Sequence, residues 1–187
     1  TLQDEAGTKL YRSEDGKMGV PTQNLMSSII IAGRYIKNGK KAISTAESTT
    51  VFDFLEFVDD FCPFMNCDKD GNVEWRPFPV RGVMKNGPSK VAVCINRPRI
   101  PKWSLQLVVK FDDKRGISQD TVVSLVEAAG RKVGLCDWRP ATKGRFGRSV
   151  VTKVEVVSIA SNEQVVEMVE FLPGQPIPPE LLELAET

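Results

Sequence analysis

Apolar residues recur along this chain at two spacings, and the switch between them predicts the elements. Leu25, Met26, Ile29, Ile30, Gly33 and Ile36 follow three- and four-residue steps, which put them on one face of a helix opened by Pro21 and Thr22 and stopped at Asn38-Gly39. A second stripe, Val122, Leu125, Val126, Ala129 and Val133, predicts another helix, capped by Ser118 and closed by Gly134. Elsewhere the period drops to two. Leu10 to Val20 reads as strand, turn and strand, with Tyr11, Met18 and Val20 as packing positions. Two short strands flank Asn86-Gly87-Pro88, and Ser104 to Asp113 alternates apolar and polar residues with period two, so these three are expected as antiparallel neighbours. Ser149 to Ile159 is β-branched and long enough for a central strand. The phenylalanine-rich run from Val51 to Phe64 fits helix and strand alike, and Glu163 to Phe171 is a short helix or a strand.

Two connections carry the distinctive chemistry. Between Gly130 and Arg148 stand Arg131, Lys132, Arg139, Lys143, Arg145 and Arg148, with Trp138 and Phe146 among them and Asp137 as the one acid. Glycines at 134, 144 and 147 allow positive φ and close approach to a ligand. The other connection holds Arg97, Arg99, Lys102 and Trp103, stiffened by Pro98 and Pro101. Cations beside aromatic rings suit a single-stranded nucleic acid, whose phosphates meet the former and bases the latter. The same residues also suit a solvated loop with Trp138 and Phe146 as core anchors. Arg34, off the first helical stripe, is a further candidate contact.

Charge sharpens this picture, because a net charge of +1 conceals a partition. Residues 1–75 carry 8 basic and 12 acidic side chains, residues 76–153 carry 17 against 5, and residues 154–187 carry 7 glutamates with no lysine or arginine. A basic middle between acidic flanks predicts a surface that faces a polyanion. Cys62, Cys67, Cys94 and Cys136 lack metal-ligand spacing and the chain has no histidine, so no metal or cofactor is expected and the cysteines read as reduced thiols of a cytoplasmic protein. Asp68 to Asn72, DKDGN, is a turn rather than a calcium loop, its glycine standing fourth and not sixth. No apolar run reaches the length of a membrane span.

Strand, helix, insertion, strand, strand, helix, strand is the order of a βαββαβ core. The expected fold class is therefore α+β, ferredoxin-like or RRM-like, with an antiparallel sheet carrying two helices on one face. The expected organisation is a single domain over 1–187, with an insertion at about 38–77 and an acidic C-terminal extension at about 160–187. GKMGVPTQNLMSSIIIAGR, Gly16 to Arg34, resembles the first strand-to-helix passage of the RAMP superfamily, where an "IPGSSLKG" type segment opens the helix. AGRKVGLCDWRP followed by GRFGR is similar to that superfamily's glycine-rich loop and closing strand. The layout resembles still more closely small phage and prophage proteins with a "GLGDWRP…GRFG" ending. This resemblance implies a non-catalytic, nucleic-acid-binding protein akin to the backbone subunits of CRISPR effector complexes. It assigns nucleic-acid contact to Arg131, Lys132, Arg139, Arg145 and Arg148.

Catalysis finds little support in the residues. There is no histidine for proton transfer, no G-x-S-x-G elbow, no phosphate-binding P-loop and no dinucleotide fingerprint. The expectation is a binder of single-stranded RNA or DNA in the cytoplasm of a bacterial host, working through the two basic loops and not at a membrane. The competing expectation is a viral structural or regulatory protein that meets an acidic partner. That partner could be another copy of itself, in an oligomer or filament, through the glutamate-rich tail.

Overall fold

The computed structural model describes residues 1–86, 89–112, 116–159 and 163–171. Its elements run α1 (Leu2–Gly7), β1 (Gly19–Pro21), α2 (Thr22–Ala32), β2 (Lys37–Asn38), β3 (Lys41–Ala42), β4 (Leu55–Phe57), β5 (Phe61–Pro63), β6 (Arg76–Asn86), β7 (Ser89–Arg99), β8 (Ser104–Phe111), α3 (Gln119–Ala128), β9 (Val150–Ile159) and β10 (Glu163–Phe171). The fold class is α+β.

The central sheet has four strands in the order β4-β8-β10-β9, every neighbouring pair antiparallel. β8 and β9 therefore run parallel, joined through α3, with β10 filling the gap between them as in a split β-α-β unit. Period-two patterning decides the buried face of β8: Leu105, Leu107, Val109 and Phe111 are all 2 % exposed or less. Leu25 and Ile29 of α2, Leu107 of β8 and Val126 of α3 line one small internal void, so both helices cover the same face of the sheet.

Both helical stripes do what their spacing predicts. Leu25, Ile29 and Ala32 are buried on α2, and Val122, Leu125 and Val126 on α3. The Ser118 hydroxyl caps α3 by accepting the Thr121 N–H at 3.2 Å. Thr22, expected as a cap, is instead the first helical residue and buried, and Pro21 occupies the cap position with no side-chain bond. The helix ends early at Gly33, and Asn38-Gly39 forms the β2–β3 turn, where Gly39 takes φ +60°. A π-helical turn, Ala129–Val133, continues α3 and closes with the Gly134 N–H donating to the Ala129 carbonyl at 2.7 Å.

The strand pairing differs from the expected βαββαβ connectivity. β1 pairs with β5 outside the central sheet. β6 and β7 form a separate two-stranded ribbon and do not pair with β8. β9, expected at the centre, lies at the edge; the inner positions belong to β8 and to β10, built from the acidic EQVVEMVEF segment. Antiparallel pairing over Gln164 to Phe171 on one side and Glu163 to Phe171 on the other gives β10 partners along its whole length. The acidic stretch thus enters the sheet, and residues 172–187 lie outside the described ones.

The segment expected as an insertion is built into the rest of the molecule. β4 extends the central sheet, and Phe64 bridges to Leu105 of β8. Val51, Phe54, Leu55, Cys62 and Phe64 belong to the core. Asp68 to Asn72 is a turn: the Asp68 carboxylate accepts the N–H groups of Asp70 and Asn72 at 2.9 and 2.8 Å, and Gly71 takes φ +78°. Among the described residues no helix is long and apolar enough to cross a membrane.

Candidate functional site

The glycine-rich loop after α3 closes on itself through backbone hydrogen bonds. Ser149 N–H donates to Gly130, Leu135 to Gly147, Phe146 to Trp138 and Gly144 to Arg139, all between 2.9 and 3.2 Å. Such a narrow loop leaves no room for Cβ atoms where its limbs touch. A Cβ on Gly144 would lie 1.8 Å from the Trp138 carbonyl oxygen, and one on Gly147 would lie 2.0 Å from that of Leu135. These glycines serve the loop's own backbone approach, whereas residue type alone suggests approach to a ligand. Cys136, Trp138 and Lys143 hold the left-handed region at φ 58°, 58° and 63°, a conformation that costs an L-residue roughly 1–2 kcal/mol. The Ser28 hydroxyl of α2 anchors the loop's start by donating to the Gly134 carbonyl at 3.1 Å.

This loop meets the other basic segment across a groove of about 700 Å³. Its walls include Phe78, Val80, Arg97, Arg99, Ile100 and Trp103 on one side and Cys136, Asp137, Trp138, Arg145, Phe146 and Arg148 on the other. Lys9, Tyr11, Val20 and Phe64 contribute to its lining as well. Two contacts hold the walls together. Arg97 Nε donates to Asp137 Oδ2 at 2.6 Å, joining residues forty positions apart. The Arg99 guanidinium stands 4.9 Å from the Phe146 ring centre and 5.4 Å from that of Phe78, while these two rings meet edge to face at 5.5 Å.

The candidate residues therefore separate by position. Arg97 is engaged by Asp137 and Arg99 is stacked between loops, so both position the groove while lining it. Arg139 turns inward, donating from Nη1 to the Cys136 carbonyl at 2.9 Å. Arg145 and Arg148 are exposed on the lining, with Arg145 5.2 Å from the Phe146 ring centre. Trp138, 47 % exposed, and half-buried Trp103 and Phe146 add ring surface. Trp138 and Phe146 thus lie on a groove wall and not in the core.

The other candidates are not brought to this lining. Lys132 projects from the π-helical turn over the ring of Tyr35 at 4.7 Å, and Arg131 is exposed on the same turn. Arg34, Lys102 and Lys143 are exposed outside the groove. Conversely, Phe78 and Tyr11 line the groove although sequence reasoning did not single them out for a site. The usable signal for Phe78 is its register opposite Arg97 on the ribbon. Tyr11 offers none, its half-exposed ring being placed where the Gly19 N–H of β1 donates to its carbonyl at 3.3 Å.

The groove contains one thiol, and it is not poised as a nucleophile. Desolvation and the neighbouring Asp137 push the Cys136 pKa above the ordinary thiol value, against a smaller pull from Arg139. The residue is exposed as a whole while its sulfur occupies a desolvated corner. Cys67, Cys94 and Cys136 are free thiols, and among the described residues no group of three acidic, cysteine or histidine side chains could hold a metal ion. No protein-family model, curated protein or solved structure matches the chain.

Proposed function

We propose that the groove binds single-stranded RNA or DNA without catalysing a reaction on it, its arginines holding phosphates and its accessible ring surface stacking bases. The observation that carries this reading is the meeting of two sequence-distant loops, which places Arg145 and Arg148 beside Phe146, Trp138 and Trp103 along one lining. Cations tracking a backbone, interleaved with ring surface, are what sequence-tolerant single-strand binding requires. Backbone strain at Trp138 and Lys143 supports it further, since strained residues persist where surrounding structure holds them for a purpose. The split β-α-β unit supports a ferredoxin-like reading of the sheet with permuted connectivity, α2 and β4 preceding β8 in the chain.

The test is fluorescence polarisation of labelled single-stranded RNA and DNA at several salt concentrations. Affinity falls with salt, and Arg145→Ala with Arg148→Ala lowers it by about tenfold or more. Each lost phosphate contact should also flatten the log–log salt dependence by about 0.7, so about 1.4 for the pair. Unchanged affinity and slope in the double variant would remove these arginines from the interface. Failure of the wild type to bind at low salt would turn the basic middle toward an acidic protein partner.

A further inference from the structure

The β6–β7 ribbon stands apart from the central sheet and carries cations beyond Arg97 and Arg99, the two that line the groove. From Arg76 to Arg99 the chain has six lysines or arginines and no aspartate or glutamate. Each strand is 11 residues long, giving a ribbon of about 35 Å at the usual rise per residue. Its base is held by α1, where Asn96 Nδ2 donates to the Leu2 carbonyl at 2.5 Å. Its outer half has no covering element among the described residues.

Register separates the two faces of that outer half. Arg81 pairs with Cys94 and Val83 with Ala92, and Lys90 follows on the same face, because positions two apart project alike. All five of these residues are exposed, Val83 at 62 %. The opposite face is apolar, with Gly82 opposite Val93 and Met84 opposite Val91. That second face continues inward through Val80 to Phe78 and the groove. The first face runs inward through Asn96 to α1 and outward into solvent, where cations flank small apolar side chains.

We infer that the β6–β7 ribbon is an arm that enters a groove of duplex DNA, its Arg81, Val83, Lys90 and Ala92 face turned to the duplex. A two-stranded ribbon fits the B-form major groove, about 12 Å wide, and small apolar side chains there meet thymine methyl groups while cations take the flanking phosphates. Ribbons also reach DNA through the minor groove. A-form RNA has a deep, narrow major groove that would not admit the arm. The complete absence of carboxylates over the ribbon removes the repulsion that would oppose entry. The inference does not depend on single-strand binding in the groove. If both hold, the preferred ligand is a duplex with a single-stranded tail.

Binding of the full chain to a blunt DNA duplex of about 20 base pairs, long enough to hold the ribbon, decides the matter. The same titration is run with a single strand and with an RNA duplex. The wild type should bind the DNA duplex in a salt-dependent way and more tightly than the RNA duplex. Arg81→Glu with Lys90→Glu should weaken duplex binding on the order of 10- to 100-fold and leave single-strand binding nearly unchanged. A second readout needs no variant: duplex DNA should slow maleimide labelling of Cys94, which lies on the same face. Unchanged duplex affinity after charge reversal, or unprotected Cys94 with duplex bound, overturns the inference. A wild type that binds single strands and no duplex overturns it while leaving the groove intact, and the converse result condemns the groove alone.

Discussion

Gly147 shows how closely single residues in the loop are specified. Its φ of +69° lies in the left-handed region, and an added Cβ would stand 2.0 Å from a backbone oxygen that cannot swing aside. Gly147→Ala should therefore cost at least about 2 kcal/mol, more than an alanine in open space would. A lowered urea midpoint with an unchanged m-value would register it. Gly16, at φ +85° with nothing within 4 Å of an added Cβ, is the control and should lose less. Thiols supply a second residue-level expectation. Burial raises the Cys67 pKa, and desolvation with Asp137 raises that of Cys136. Below the ordinary thiol value both are neutral in folded and unfolded chains, so their contribution is fully present. As pH rises through that value the unfolded chain ionises first, binds fewer protons than the folded one, and stability falls toward the raised folded values. Urea midpoints at about pH 8 and about pH 10 should show the decline, with a smaller one in a Cys67→Ser, Cys136→Ser variant. An equal decline in that variant would assign the effect to other groups.

At the scale of elements, legibility followed the range of the interaction. The stripes of α2 and α3 were readable because residues three and four apart share a face whatever lies opposite, and the buried sets on α2 and α3 follow those stripes. β8 was readable for the same reason at period two. The run from Val51 to Phe64 was not, since it divides into a 3-10 turn and two three-residue strands, each too short to show a period. The loops were legible as chemistry and not as geometry. Residue types announced cations beside rings, yet the ion pair between Arg97 and Asp137 spans forty positions and no local pattern signals it. That pair and the stacked Arg99 explain why some candidate cations brace the groove while Arg145 and Arg148 face it.

For the molecule as a whole, the decisive feature is the position of β10. A central strand supplies hydrogen bonds on both edges, so its removal leaves β8 and β9 without their shared partner. Ending the chain before residue 160 should abolish cooperative thermal unfolding measured by circular dichroism. Ending it after Phe171 retains all ten strands and should preserve the transition. Loss of cooperativity in the longer truncation would mean that residues 172–187 are needed for the fold. The acidic segment suggests an outlying tail because four of its nine residues over 163–171 are polar or charged, and the adjacent pairs Val165-Val166 and Met168-Val169 break the period of two by which a strand is read.

Local order in the sequence determined where helices and long strands form, which of their faces are apolar, and how charge is divided among the three stretches of the chain. It also determined that arginines and aromatic rings share two loops. Tertiary structure alone decided that β10 lies between β8 and β9, that β6 and β7 leave the sheet as a ribbon, and that the two loops face one another. The reason is physical. Face and period depend on neighbours a few residues away, whereas strand partnership and loop encounter depend on contacts between distant segments, whose free energies are resolved only when the whole chain packs.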